Sequence, residues 1–160
     1  MGTAILWLTV VTAVLAGVIG GVFFAFSSFV MPALSRLVPA QGIAAMQSVN
    51  VAAVSPAFMT MLFVPALSSL SLLVVVTVRR GEGLPAAWLV GGSVLYLAGI
   101  VLTAVFHVPR NDALAVLDPE ASASVAVWTD YVSAWTAGNH VRMLTSVGAA
   151  ACLTWAAHGG

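Results

Sequence analysis

The chain has 160 residues, of which 61% are apolar and only 6% are charged, and its formal net charge is zero. A soluble domain normally has about a quarter of its residues charged, so this chain has too few charges to cover a water-exposed surface. We also expect no nucleic-acid partner, because the chain has no lysine and its arginines are scattered. The composition therefore predicts an integral membrane protein.

Four segments are apolar and long enough to cross a bilayer as helices, which takes about 20 residues each. They are residues 4–30, 53–78, 84–106 and 139–157. The first segment is too long for a cleaved signal peptide and lacks its basic start, so we expect it to stay in the protein. The predicted fold is all-α, a bundle of four transmembrane helices that forms a single domain over residues 1–160.

The first and third connections each predict an amphipathic helix at the membrane interface. In the first connection, Pro39 suits the first turn of a helix, and Ile43 and Met46 then share one face. In the third, Asp118 is followed by proline and glutamate, which is typical of a helix N-terminus. From there the helical pattern reaches Gly138, where the helix either continues into the fourth span or breaks.

Four spans place both termini and the 79–84 turn on one side of the membrane, and the two longer connections on the other. The turn carries Arg79 and Arg80 directly at the end of a span. Under the positive-inside rule this favours the cytoplasm for that side. We therefore expect a multi-pass protein of the cell membrane, with its termini and the turn in the cytoplasm.

Small residues recur at every fourth position along the first span, at Ala13, Gly17, Gly21 and Ala25. This spacing places them on one face of the helix and allows another helix to approach closely. The neighbour is either a helix of the same bundle or a second copy of the chain. A homo-oligomer is therefore one expected partner, besides the lipid bilayer.

Polar residues collect where the third span ends and the fourth begins, on the same side of the membrane. They are His107, Arg110, Asn111, Asp112, Asn139, His140 and Arg142. Ionisable groups at membrane depth are costly and are usually functional, so the cluster predicts a site between these two helices. The alternative is structural, in which Asp112 or Asp130 pairs with Arg142 and ties the long connection down.

Two histidines in this cluster allow a further alternative. His107 and His140 on adjacent helices would suit a b-type haem, and the same pair with Asp112 would suit a metal ion. The chain has no HExxH motif and no paired CxxC motif, which are the spacings typical of metal sites. We therefore predict no cofactor and no metal, and keep haem b, held by the two histidines, as the alternative.

Four strings of the sequence together resemble those of a known family. They are GVFFAFSSFVMPAL at 21–34, GIAAMQSVN at 42–50, HVPRNDAL at 107–114, and the run from Trp128 to Arg142 that ends in NHVR. The family they resemble is that of anthrone oxygenase, which consists of small four-helix membrane proteins. The VPxND and NHxR motifs are specific to the family in combination and weak separately. The resemblance covers nearly the whole chain and supports the predicted fold.

The resemblance implies the oxygenation of an anthrone, a tricyclic phenol with an acidic CH2 group, to the quinone by O2. Such chemistry needs a base, donors that stabilise an enolate oxygen, and an apolar site that excludes water. The resemblance implies His140 as the base, with Arg142 and Asn139 as the oxyanion partners. The residues implied in substrate binding are Asn111, Asn50, Trp128, Trp135, Phe24 and Phe26.

Other classes of function stay open from the sequence alone. A hydroquinone-like substrate would suit the same oxygenase site. A non-catalytic membrane module would use the same polar cluster to bind a small molecule or to close the bundle beside a partner protein. A haem-binding redox protein is the third class. Trp128 and Trp135 are equally typical of aromatic anchors at the membrane interface, as an alternative to walls of a ligand pocket.

Overall fold

The structure is a computed structural model that describes residues 1–159. This part of the chain folds into five helices and contains no strand. They are α1 (Thr3–Leu34), α2 (Pro39–Ala52), α3 (Pro56–Val78), α4 (Ala86–Ala115) and α5 (Ser124–His158). Three of them, α1, α3 and α4, are long and apolar enough to cross a membrane, so the chain is a multi-pass membrane protein.

The long helices pack side by side in the order α1, α5, α4 and α3, and α3 also packs against α1. α2 lies against α4 and α5 at one end of this group, which we call the loop end. The opposite end, where α1 begins and α5 finishes, is the turn end. The apolar core of the turn end consists of Ile5, Ala13, Leu72, Leu89, Leu153 and Ala156.

α1 and α4 each contain one π-helical turn near the loop end, at Phe26–Val30 and Thr103–His107. A proline follows shortly after each turn, Pro32 in α1 and Pro109 in α4. Proline lacks the N–H that would bond to the carbonyl four residues earlier, and its ring clashes with that carbonyl. A π-helical turn relieves this clash, so both helices continue past their prolines.

Two helices therefore extend beyond the predicted ends of their spans. The polar residues that follow 84–106 were expected to end the third span, but α4 continues through them to Ala115. Likewise the first helix passes beyond the predicted limit of residue 30 and reaches Leu34. The predicted helix after Pro39 is confirmed as α2, with Ile43 fully buried on its inner face.

α5 is a single helix of 35 residues, roughly 50 Å long at 1.5 Å per residue. The predicted helix start at Asp118 is wrong. Asp118 Oδ1 accepts from the Glu120 amide at 3.0 Å, and the Asp118 carbonyl accepts from Ser124 Oγ at 2.7 Å. These bonds stabilise a turn, so the helix begins only at Ser124. It then continues through Gly138 without a break.

The small-residue stripe of α1 has two different surroundings. A Cβ placed on Gly17 would lie 3.7 Å from the Ala150 side chain of α5, whereas a Cβ on Gly21 would have no atom within 4 Å. The closest approach involves Gly20 instead, where a Cβ would lie 2.9 Å from Val147 Cγ2. Small residues of α1 therefore pack against α5 inside the protein, and the homo-oligomer stays a prediction.

Candidate functional site

A cavity of about 570 Å³ lies at the loop end, and residues from all five helices line it. The polar side chains that reach it are those of Asn50, Thr103, Asn111, Trp135 and Arg142. Its apolar walls include Phe23, Phe26, Met46, Phe58 and Leu62. A cavity of this size, mostly apolar with a few polar groups, is typical of a site for a small organic molecule.

Arg142 is the charged residue of this cavity, and its side chain is only 6% exposed. The guanidinium carbon lies 4.3 Å from the centre of the Phe23 ring and 5.0 Å from that of Trp135. Nη2 donates to Asn139 Oδ1 at 2.8 Å, while Nε is buried without a hydrogen-bond partner. No carboxylate of residues 1–159 pairs with it. Most of its N–H donors therefore stay available to a ligand.

Asn139 positions Arg142 from behind the cavity wall. The residue is fully buried, and Nδ2 donates to the Phe23 carbonyl at 2.7 Å and to Ser27 Oγ at 2.8 Å, both on α1. Its Oδ1 accepts the bond from Arg142. Because both amide hydrogens are engaged within the protein, the implied role of Asn139 as a direct oxyanion partner does not fit the structure.

Asn111 lines the cavity in an orientation that two donors determine. Tyr131 Oη donates to Asn111 Oδ1 at 2.9 Å, and Trp135 Nε1 donates to the same oxygen at 3.0 Å. Burial raises the pKa of the Tyr131 phenol to about 12, so at neutral pH the hydroxyl keeps the proton that it donates. Asn111 Nδ2 makes no hydrogen bond within the described part of the chain and faces a ligand as a donor.

Asn50 brings a third donor to the cavity from α2. Its Nδ2 is buried near the Tyr131 hydroxyl and makes no hydrogen bond of good geometry with the described residues. α2 is held in place by Gln47, whose Nε2 donates at 2.9 Å and 3.0 Å to two carbonyls at the C-terminal end of α4. The cavity thus presents N–H donors from Asn50, Asn111 and Arg142 and no carboxylate, an arrangement that favours a ligand with a negative oxygen.

His140 lies outside the cavity, so the prediction that it sits beside Arg142 is wrong. The side chain is exposed and lines a shallow groove with Met31, Pro32 and Thr136. Consecutive residues of a helix point about 100° apart, so the residue after the buried Asn139 turns away from the core. The structure therefore gives His140 no contact with the cavity in which a substrate would bind.

Of the four aromatic residues predicted as walls, two line the cavity and two do not. Phe24 is 57% exposed on the outer face of α1, whereas Phe26 lines the cavity with its ring 5.7 Å from that of Trp135. Trp128 is buried between α2 and α5 and does not reach the cavity. A Cβ on Gly42 would lie 2.9 Å from the Trp128 ring, so this contact requires the glycine.

The predicted ion pairs of Arg142 do not form. Asp112 and Asp130 are both exposed, and neither makes an ion pair with another described residue. Their side chains lie on the outer faces of α4 and α5, while Arg142 points into the core. The long connection is held down by neutral hydrogen bonds instead, such as the one between Ser124 and the Asp118 carbonyl.

His107 is fully buried at the end of the π-helical turn in α4. Its ring packs edge-on against Trp135, with centroids 5.3 Å apart, and neither ring nitrogen has a hydrogen-bond partner in the described chain. His140 is exposed on the outer face of α5, so the structure does not bring the two histidines together as ligands of a haem or a metal. Residues 1–159 contain no group of three side chains placed to hold a metal ion.

Most of the apolar wall residues and one polar contact were not predicted from the sequence. Phe23, Met46 and Phe58 line the cavity, and Ser27 accepts a bond from Asn139. Only helical periodicity offered a signal, because Phe23 lies three residues before Phe26 on the same face of α1. No motif marks the residues that α3 contributes.

The structure defines a helical membrane protein with a buried, unpaired cation in an apolar cavity. The sequence profile of the anthrone oxygenase family matches residues 56–152, more than half of the chain, and the chain belongs to this family. The match spans α3, α4 and most of α5, and includes Asn111, Trp135 and Arg142 of the cavity. Neither the curated proteins nor the solved structures gave a match.

Proposed function

We propose that this protein is a cofactor-independent oxygenase that converts an anthrone-like substrate to the quinone with O2. The observation that carries the proposal is Arg142, a buried cation without a carboxylate partner in an apolar cavity. The enolate of an anthrone complements such a site, since it has flat apolar rings and one negative oxygen. A hydroquinone-like phenol belongs to the same chemical class and would bind in the same way.

The proposed membrane arrangement has four spans, formed by α1, α3, α4 and residues 139–157 of α5. The fourth span is supported by apolar side chains exposed on the outer face of α5, namely Val141, Leu144, Val147 and Trp155. α5 is longer than the hydrocarbon core, which is about 30 Å thick, so its first part extends beyond the bilayer. There it covers the loop end together with α2.

The proposed orientation places the turn end in the cytoplasm of the cell, with the protein in the cell membrane. Arg79 and Arg80 at the end of α3 support this orientation through the positive-inside rule.

The proposed domain organisation is a single domain over residues 1–160. It is supported by α1, α4 and α5, which contribute both to the core of the turn end and to the cavity.

The proposed reaction begins when the CH2 carbon of the substrate loses one proton. The resulting enolate oxygen accepts hydrogen bonds from Arg142 and from Asn111 Nδ2, which stabilise its negative charge. The electron-rich carbon reacts with O2 and forms a C–O bond, and the resulting peroxide anion takes up a proton to give a hydroperoxide on the substrate. Loss of the second proton from that carbon breaks the O–O bond and forms the C=O bond. The released hydroxide takes up a proton, so each O2 yields one quinone oxygen and one water.

The cavity contains no side chain suited to be the base. No Asp, Glu or His lines it in the described part of the chain, and a guanidinium donates hydrogen bonds but accepts none. The proton therefore leaves to water or hydroxide. The protein lowers the energy of the anion instead of producing it with a dedicated base, which suits a substrate whose enol or phenol is itself acidic.

The missing base also favours a second candidate function, a non-catalytic binder of anionic aromatic molecules. Such a protein needs the donors and the apolar walls but no proton acceptor.

A haem-binding redox protein, the third alternative, has less support because His107 is buried and His140 is exposed on the outside. A structural partner in a larger complex needs no cavity.

The test is oxygen uptake by the purified protein in lipid vesicles supplied with an anthrone. We expect one O2 consumed per quinone formed, and a loss of about 100-fold or more in kcat/KM for Arg142→Met, because a donor to the oxyanion is removed. Arg142→Lys should retain part of the activity, as it keeps the charge but not the planar donor array. Arg36→Met removes an exposed arginine outside the cavity and should leave turnover unchanged.

The possible outcomes separate the candidates. If the protein binds an anthrone through Arg142 but takes up no oxygen, the result supports the non-catalytic binding protein and refutes the oxygenase. Turnover that survives Arg142→Met at the wild-type rate would refute the proposed site. If the wild-type protein neither binds an anthrone nor takes up oxygen, both functions are refuted.

A further inference from the structure

The wall of the cavity is open where α3 and α4 separate. Up to Leu102, α4 packs against α3, but from Thr103 to Ala115 it packs chiefly against α2 and α5. The change coincides with the π-helical turn Thr103–His107, which shifts the direction of the side chains that follow. A gap therefore lies between the first part of α3 and the last part of α4, beside the cavity.

The rim of this gap is apolar. The cavity residues that are also exposed on the outside of the protein are Ala52, Val54, Phe63, Ala104 and Val108. By contrast, the donors of Asn111 and Arg142 lie deeper in the cavity, and Arg142 is only 6% exposed. An opening to water would expose polar groups, whereas a rim made only of apolar side chains suits contact with hydrocarbon.

The position of the rim along the helices also points to the bilayer. Phe63 lies about two turns, or roughly 10 Å, beyond the start of α3, and Val108 lies about the same distance before the end of α4. Both helices are long and apolar enough to span a membrane. At the loop end, α2 covers the cavity, and Gln47 joins α2 to α4 through two hydrogen bonds.

We infer that the substrate reaches Arg142 from within the bilayer, by moving sideways between α3 and α4. This inference rests on the proposed function and narrows its substrate class to lipophilic phenols or enols that dissolve in the membrane. The molecule passes the rim with its apolar rings and then turns its acidic oxygen toward the donors inside. Of the two rim residues on α4, Ala104 has the smaller side chain. A larger side chain at this position would therefore narrow the opening.

The test measures how fast a non-reactive ligand binds, so it does not depend on turnover. A hydroxyanthraquinone is dissolved in the lipid of vesicles that contain the protein, and the part of the tryptophan-fluorescence quenching that Arg142→Met abolishes reports its arrival in the cavity beside Trp135. We expect Ala104→Phe to slow binding about tenfold, because a larger side chain obstructs the gap, with little change in the equilibrium affinity. Val105→Phe is the matched control, since Val105 is 67% exposed on the same helix and does not line the cavity.

A second arm distinguishes the membrane from water as the source of the ligand. A sulfonated hydroxyanthraquinone, which stays in water, should bind at least tenfold more slowly than the lipid-soluble one if access is lateral. Equal binding rates for the two ligands would overturn the inference, and so would equal rates for Ala104→Phe and Val105→Phe. Failure of the wild-type protein to bind either ligand would overturn it as well.

The proposed function fails in a different way. If Ala104→Phe slows binding but no anthrone supports oxygen uptake, the lateral route stands and the oxygenase does not. If oxygen uptake is normal and the rim variants bind the ligand at the same rate, the oxygenase stands and the lateral route does not.

Discussion

The turn end and the loop end join the same helices by different kinds of contact. At the turn end, Leu72, Leu89 and Leu153 are fully buried in an apolar core. The buried polar group Thr9 bonds to the Ile5 carbonyl of its own helix at 2.8 Å and so links no two helices. This end depends on close apolar packing, and residues 1–159 show none of the cavity-lining donors there.

At the loop end, hydrogen bonds cross from helix to helix. Asn139 of α5 donates to the Phe23 carbonyl of α1, and Tyr131 of α5 donates to Asn111 of α4. These bonds join the helices around the cavity and give partners to polar groups that its wall buries. The turn end therefore stabilises the fold, and part of that stability offsets the cost of burying Arg142 without a counter-ion at the loop end.

The largest effect on stability is expected from Leu153→Ala at the turn end. Leu153 contacts Gly92 so closely that a Cβ on the glycine would lie 2.7 Å from Leu153 Cγ. Truncating it should lower the free energy of unfolding by about 3 kcal/mol, measured by denaturation in detergent micelles. Ligand affinity should stay within about twofold of wild type, because distant sites act independently.

The control for this variant is Leu144→Ala on the same helix, where the side chain is 63% exposed. It should change the free energy of unfolding by less than about 1 kcal/mol. If Leu153→Ala weakened ligand binding tenfold or more, the two ends would be coupled and the comparison would break down.

The second prediction concerns pH and follows from the lack of a base in the cavity. The binding-competent form of the substrate is its anion, so kcat/KM should rise about tenfold per pH unit below the pKa of the substrate and level off above it. Measured with two anthrones of different acidity, the pH of this break should move with the substrate. A break at one pH for both substrates would identify a titrating group of the protein as the base.

A smaller effect is expected from Asn111→Leu at the loop end. The change removes the oxygen that accepts bonds from Tyr131 and Trp135, and leaving these donors unpaired should cost about 2 kcal/mol of stability. It also removes the Nδ2 donor, which should weaken the binding of an anionic ligand about tenfold. Denaturation and ligand titration measure the two effects separately.

Asn111→Asp is the matched variant, because it keeps acceptor oxygens for Tyr131 and Trp135 but loses the donor. We expect near wild-type stability together with weaker anion binding. Equal ligand affinities for wild type, Asn111→Leu and Asn111→Asp would show that Asn111 supports the cavity wall without contacting the ligand.

Much of the fold could be predicted from hydropathy, because each apolar segment is long enough to require a helix in the membrane. The ends of α1 and α4 could not, since hydropathy does not show that a π-helical turn carries each helix past its proline. Near the first of these turns, Asn139 of the distant α5 donates to the Phe23 carbonyl of α1, whereas near the second Arg110 donates to the Phe106 carbonyl of its own helix at 2.9 Å. A polar string that looks like the end of a span is therefore still helical.

The candidate site was predictable only where helical spacing was respected. Trp135, Asn139 and Arg142 recur at intervals of three or four residues and share the buried face of α5. His140 breaks that spacing, and so does Phe24 relative to Phe26. Which face turns inward depends on close packing, such as that at Gly138, where a Cβ would lie 2.5 Å from the Phe106 ring. A sequence motif alone does not contain this information.

The smallest effect is expected from His140→Ala, which tests the role implied by the NHxR motif. The side chain is exposed in a groove outside the cavity, so its removal should change turnover less than about twofold and stability by less than about 0.5 kcal/mol. Ser133→Ala in the same groove is the control, and both are measured in the oxygen-uptake assay beside Arg142→Met. A loss of tenfold or more for His140→Ala alone would mean that a base acts from outside the cavity. The loop end would then have two functional faces on α5, and the site centred on Arg142 would be incomplete.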